Sequence, residues 1–98
     1  NLVFVSELRK QWDSMAIRLM LVENHYRDAW EWDETRMPRA AQRLERWRAA
    51  GDGDGALGEV RARLDDDLDT PGAVAAIDAA VARGDGVSEA AALLGVVL

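Results

Sequence analysis

The sequence predicts an all-α domain: a bundle of about five or six helices with a short extended N-terminal arm. Three observations carry this prediction. Apolar residues recur at helical spacing in successive segments. Start and stop signals punctuate them, with Asp13, Thr70-Pro71 and Ser88 as starts and Gly84 and Gly95 as stops. The one strand-like run, Leu2-Val3-Phe4-Val5, has no partner from which to build a sheet within the chain.

The elements follow in order. Leu2-Val3-Phe4-Val5 reads as an extended segment ended by Ser6, which can cap a short helix. Arg9 in place of Glu or Gln leaves that capping box incomplete. Asp13 caps a second helix from Ser14 to about Asn24. Met15, Ile17, Leu19, Met20, Leu21 and Val22 leave it little polar face, so it is the expected central core helix. His25-Tyr26-Arg27 follows at its C-terminal end, where cationic side chains suit the helix dipole. The longest periodic segment places Met37, Ala40, Leu44 and Trp47 on one stripe and Arg36, Arg39, Arg43 and Arg46 on the next. Asp33 or Thr35 is its N-cap. With Thr35 as cap, Pro38 falls in the first turn; with a start at Glu34, the helix kinks there.

Gly51-Asp52-Gly53-Asp54-Gly55 reads as a flexible loop by composition. Leu57, Val60 and Leu64 describe a fourth helix ending in Asp65-Asp66-Asp67. Thr70 as N-cap and Pro71 at the first position open a fifth, with Val74, Ile77 and Val81 on one face. A last short helix runs from Ser88 towards Gly95. The organisation is therefore an arm and connector over 1–12, a Trp-containing helical half over 13–50, the loop over 51–55, and an Ala-rich acidic half over 56–98.

Composition bounds the chemistry. The 98 residues carry a net charge of −6, a hydrophobic fraction of 49% and a charged fraction of 31%, which suits one small globular domain. No run reaches the roughly 18 apolar residues of a membrane span, so the expected location is cytoplasmic. The absence of Cys removes disulfides, Cys-ligated zinc and thiol catalysis from this chain, and a single His leaves too few ligands for a His-based metal site. Negative charge disfavours nucleic acid as a ligand of the whole surface. The charge is uneven: residues 1–50 carry 9 basic and 8 acidic side chains, residues 51–98 carry 3 and 10.

The candidate chemical features are few. Asp65-Asp66-Asp67-Leu68-Asp69 lacks the Gly-containing turn and distal Glu of a calcium loop, and reads as a carboxylate-rich helix junction. The Arg36/39/43/46 stripe can track a phosphate backbone, or be a solvated face paired with Gln42 and Glu45; the charge balance favours the second. His25 alone reads as a structural hydrogen-bonding group. Trp30 and Trp32 alternate, so one can face the core and the other a neighbouring domain. No Gly-rich phosphate loop, paired catalytic carboxylates or nucleophile constellation occurs.

Three stretches taken together are more specific. Asn1-Leu2-Val3-Phe4-Val5-Ser6 resembles the segment after the KMSKS loop of class I cysteinyl-tRNA synthetases and their relatives. Ala16-Ile17-Arg18 through His25-Tyr26-Arg27 resembles the superfamily's helix ending in His-Tyr-Arg. Asp65-Asp66-Asp67-Leu68-Asp69-Thr70-Pro71 is similar to its Asp-rich Thr-Pro junction. Trp30-Glu31-Trp32 and the short run after Leu93-Leu94-Gly95 resemble one branch, the mycothiol-pathway cysteine ligases. Eleven Arg against the single Lys10 suggest a GC-rich genome and fit an actinobacterial origin. Pro38 departs from the regular helix expected in this family.

The resemblance implies a parent enzyme that activates L-cysteine with ATP and joins it to glucosaminyl-inositol. Its HIGH-type motif, zinc site and KMSKS loop precede this chain. ATP and zinc are thus implied for the parent, with no catalytic, cofactor-binding or metal residue in this segment. The partner is the N-terminal catalytic domain of the same protein, with no membrane and no nucleic acid. The lack of an initiator Met fits a piece of a longer chain, whose apolar arm meets the rest. Asn1, His25, Tyr26, Arg27, Trp30 and Trp32 are the candidates for a substrate cleft or interdomain face. Two alternatives stay open: the C-terminal helical domain of a cysteinyl-tRNA synthetase contacting tRNA, and an unrelated helical interaction module.

Overall fold

The computed structural model describes residues 2–27 and 32–98, with the backbone alone for 2–5. Its first segment corrects the sequence expectation. Leu2–Arg9 forms a helix, α1, where an extended arm is predicted. A lone strand leaves its backbone N–H and C=O groups unpaired, and there is no strand among the described residues to pair with it. A helix satisfies those groups locally, and the β-preference of Val and Phe is too small to oppose that. Ser6 lies inside this helix, and Leu8 joins the core.

The second helix, α2 (Ser14–Val22), starts as predicted. Asp13 accepts a hydrogen bond from the Met15 backbone N–H at 2.7 Å. That bond, helped by Arg48 at 3.3 Å, holds the Asp13 carboxyl below the usual carboxylate range. In α3 (Arg36–Ala50), Thr35 occupies the N-cap position but its side chain makes no cap bond. Asp33 instead accepts from both the N–H and the hydroxyl of Thr35. Pro38 falls in the first turn, where its missing N–H costs nothing. Met37, Ala40, Leu44 and Trp47 are all buried, as their spacing requires.

Three helices complete the chain: α4 (Leu57–Asp65), α5 (Thr70–Ala82) and α6 (Ser88–Leu93). Asp69, not Thr70, caps α5, accepting from the Gly72 N–H at 2.9 Å. Both residue types can cap, and Asp69 adds a negative charge at the positive helix end. Thr70 becomes the first helical residue, and its hydroxyl is left to donate to the Asn24 carbonyl at 3.2 Å.

The two halves close on one another. The largest contacts pair α2 with α3 and α4 with α5, and α3 bridges to α5. Leu19 and Met20, Met37 and Trp47, Val60, and Ile77 fill the centre. The Gly/Asp loop is tied down. Val87 N–H donates to the Gly51 carbonyl at 3.1 Å, Gly55 N–H to the Gly86 carbonyl at 2.9 Å, and Glu89 N–H to the Gly53 carbonyl at 3.1 Å. Glycine there supplies close backbone approach: a Cβ on Gly86 would lie 2.1 Å from the Asp52 carbonyl oxygen.

One polar network crosses the core. Trp47 is fully buried and donates its indole N–H to Asp78 Oδ1 at 2.8 Å. The other Asp78 oxygen accepts from Arg43 Nε at 3.0 Å, and Arg43 Nη1 also pairs with Glu23. Arg43 therefore meets α5 and the end of α2, not its helix neighbours Gln42 and Glu45. Burial raises the Glu23 carboxyl above its ordinary range despite the attraction of Arg43.

Three stability predictions rest on this packing. Gly86→Ala should cost about 2–3 kcal/mol, because the methyl meets backbone that cannot step aside; urea unfolding measures it. Arg43→Ala should cost about 2–3 kcal/mol, since it strands Glu23 and Asp78 together. Glu23→Gln should match or exceed wild-type stability at neutral pH. A raised folded pKa means that the folded state binds the proton more tightly than the unfolded one. The cost of ionised Glu23 is therefore present above the folded pKa and disappears as pH falls to the unfolded value. The advantage of the Gln variant should vanish over the same window, as read by thermal unfolding against pH.

Candidate functional site

Beyond α2 the chain has little helix left to satisfy it. Glu23 closes the helix, and the Asn24 side chain returns to the Met20 carbonyl at 3.3 Å. The next three residues, His25-Tyr26-Arg27, all converge on Asp67, forty residues away. His25 Nε2 lies 2.9 Å from the Asp67 carbonyl oxygen, and His25 Nδ1 accepts from the Arg27 backbone N–H at 3.1 Å. Those two partners assign the hydrogen to Nε2, which donates to the carbonyl. The Tyr26 hydroxyl donates to Asp67 Oδ1 at 2.8 Å. Arg27 Nη1 stands 2.9 Å from Asp67 Oδ2. Each carboxylate oxygen thus has its own donor.

The three side chains also order one another. The Tyr26 ring stacks on His25 with centroids 4.7 Å apart, and the Arg27 guanidinium lies 5.4 Å from the Tyr26 centroid. Donation to the anionic Asp67 raises the Tyr26 phenol above its ordinary range, because losing the proton would set two negative charges together.

Asp67 reaches this position through unusual backbone. Asp67 and Leu68 both adopt left-handed conformations, with φ of 54° and 52°. The pair reverses the chain between α4 and the Asp69 cap of α5. It leaves Leu68 exposed beside Tyr26 and Arg27, which are also exposed. Left-handed backbone is disfavoured by roughly 1–2 kcal/mol for a non-glycine residue, less for Asp. Thr70 fastens the other side through its bond to the Asn24 carbonyl. Residues 24–27 and 67–70 are in effect one structural unit.

The remaining sequence candidates fall elsewhere. Trp32 lines a shallow hollow of about 300 Å³ with Leu8, Trp12 and Met37, away from Asp67. Asn1 and Trp30 lie outside the described residues. The Arg stripe is divided. Arg36 donates to Asn24 Oδ1 at 3.2 Å and Arg43 turns into the core network, while Arg39 and Arg46 stay exposed. It is not a uniform row of cations along one solvent face. Sequence reasoning missed Asp67 as the point of convergence, since three consecutive Asp residues look alike until the backbone turn selects one. It also missed Asp78, a lone carboxylate among alanines next to the apolar Ile77 of the fifth helix, which was the available signal.

The chemistry open to this unit is fastening. Both oxygens of Asp67 and both ring nitrogens of His25 are engaged. Among the described residues, no group of three His, Asp or Glu side chains is placed to hold a metal ion. Leu68→Gly should raise stability by about 0.5–1 kcal/mol by relieving the left-handed strain. Asp67→Ala should lower it by about 1 kcal/mol, as exposed polar pairs are lost. Urea denaturation of the two variants checks both signs.

No family model matches the chain. Individual curated relatives do. The chain is 56% identical over 95 residues to the L-cysteine:1D-myo-inositol 2-amino-2-deoxy-alpha-D-glucopyranoside ligase of Thermobispora bispora, covering 90% of this chain and 24% of that protein. It is 52% identical over 85 residues to the ligase of the same name from Streptosporangium roseum, with 81% and 21% covered. The corresponding ligase of Catenulispora acidiphila is 54% identical over 102 residues, with 94% and 24% covered. The chain spans about a quarter of the length of the curated relatives it matches. More than half of the residues are identical across most of its length, so the chain is similar to one segment, about a quarter of the length, of L-cysteine:1D-myo-inositol 2-amino-2-deoxy-alpha-D-glucopyranoside ligases.

Proposed function

We propose that the chain is the C-terminal helical domain of an ATP-dependent ligase that joins L-cysteine to glucosaminyl-inositol through a cysteinyl adenylate, in mycothiol biosynthesis. Its role is structural. It packs against the catalytic domain and supports the KMSKS-bearing loop, in the cytoplasm. The observation that carries this reading is the 56% identity to a ligase of which the chain is only 24%.

The residues here do not fit the parent's zinc. The chain has no Cys, and its single His spends both ring nitrogens on Asp67 and Arg27. The Gly-rich loop before α4, Gly51 to Gly55, carries Asp52 and Asp54, whose charge repels a phosphate, and its backbone is engaged by residues 86–89. The reading therefore assigns zinc, ATP and the activation step to the rest of the parent. No described helix is long and apolar enough to cross a membrane, which is compatible with the cytoplasmic assignment. The synthetase alternative, with tRNA as partner, is disfavoured by the identity and by the divided Arg stripe.

Cysteine-dependent ATP–pyrophosphate exchange tests the reading. The full-length parent should catalyse it, and should lose it when a chelator strips the zinc. The 98-residue chain should show none, and its helical circular dichroism should ignore the chelator. Exchange by the chain alone would overturn the structural role. A parent that charges tRNA instead of glucosaminyl-inositol would establish the synthetase alternative.

A further inference from the structure

Helix α2 is apolar nearly all round, yet the described residues cover only part of its circumference. Ala16, Ile17, Leu19 and Met20 face the core. Leu21, one turn after Ile17 at the edge of that face, is 48% exposed. Beside it runs a groove of about 520 Å³, lined by Arg9, Met15, Ile17, Arg18, Leu21 and Val22, with Ser14 at its end. Val97 extends the apolar strip: it is 69% exposed, and its backbone N–H lies 3.2 Å from Met15 Sδ. Met15 joins Leu21 and Val97 into one apolar strip on this face.

The groove has a definite charge. Two guanidiniums, Arg9 and Arg18, rim it, and no acidic residue among the described ones lines it. Among the described residues neither has an ion-pair partner, although the chain as a whole is at −6. An isologous dimer through this face would set these cations against one another, which disfavours a second copy as occupant. About three-quarters of the length of the relatives lies outside this chain. Resting on the reading of the chain as one domain of a ligase, we infer that the α2 groove is the seat for an apolar segment bearing a carboxylate, contributed by the rest of the same ligase polypeptide. Leu21 and Val97 meet its apolar side chains, and Arg9 and Arg18 pair with its acid. This places the interdomain contact on α2 and the end of α1, away from the Tyr26–Leu68 surface.

Photo-crosslinking in the full-length ligase tests this. A benzoylphenylalanine at position 21 should give an intramolecular cross-link to the polypeptide outside these 98 residues. The same probe at position 26 should give a much lower yield of that product. Arg18→Glu should cut the position-21 yield severalfold with the helical circular dichroism unchanged. Cross-links from position 21 that join two molecules would assign the groove to a second copy and overturn the inference. So would links that stay within the domain, an outside link from position 26 but not 21, or an Arg18→Glu yield equal to the parent's. Pyrophosphate exchange on the same preparation keeps the two readings apart. If exchange is normal and position 21 fails to link, the groove is wrong and the ligase reading stands; if exchange is absent, the ligase reading itself fails.

Discussion

A buried tryptophan constrains the arrangement of three helices. Trp47 brings the largest side chain in the core, and with it an indole N–H that must find an acceptor away from water. Asp78 is that acceptor, so a carboxylate has to enter the α3–α5 contact. A carboxylate there needs a cation, which Arg43 supplies one helical turn before Trp47. Arg43 then reaches Glu23 at the end of α2. Filling the core with one large aromatic thus commits α2, α3 and α5 to a fixed rotation and depth. An all-aliphatic core of equal volume would tolerate sliding that these directional bonds do not.

The same logic explains how so small a domain holds its connections. Six helices among the described residues leave many helix ends, each with unpaired backbone groups. Asp13 and Asp69 satisfy two of the N-termini with side-chain oxygens. The connection from α3 to α4 uses backbone instead, laid against residues 86–89 closely enough that a Cβ at Gly86 has no room. Glycine-rich sequence here encodes contact and not mobility.

Much of the fold was legible because the helical period is strong where burial is one-sided. Met37, Ala40, Leu44 and Trp47 announced α3, and Asp13 and Ser88 fixed helix starts to the residue. The arm over 2–5 misled because β-branched and aromatic residues report a weak preference, whereas the availability of a partner strand decides. The site was legible in part. His25, Tyr26 and Arg27 could be selected as a cluster by position after a helix, but their common partner could not. Which of three adjacent carboxylates turns towards residues 25–27 depends on two left-handed residues, and nothing in Asp67-Leu68 advertises that conformation as glycine would.

The uneven charge of the sequence has a structural meaning that composition alone conceals. Nine of the twelve basic residues lie before Gly51, and ten of the eighteen acids after it. In the folded chain Arg43 crosses to Asp78 and Arg27 to Asp67, so the two halves are complementary partners. The contacts differ in kind. Arg43–Asp78 is half-buried and shares its carboxylate with a fully buried indole, so it is coupled to core packing. Arg27–Asp67 is exposed, and its direct contribution to stability is small. Its value is positional, because with Tyr26 and His25 it pins the exit of α2 to the turn before α5. The direction of α2 is then set at both ends, by Asp13 at its start and by Asp67 beyond its finish. A helix held in that way presents its uncovered apolar side at a fixed angle, which a surface that must receive a second structural element requires.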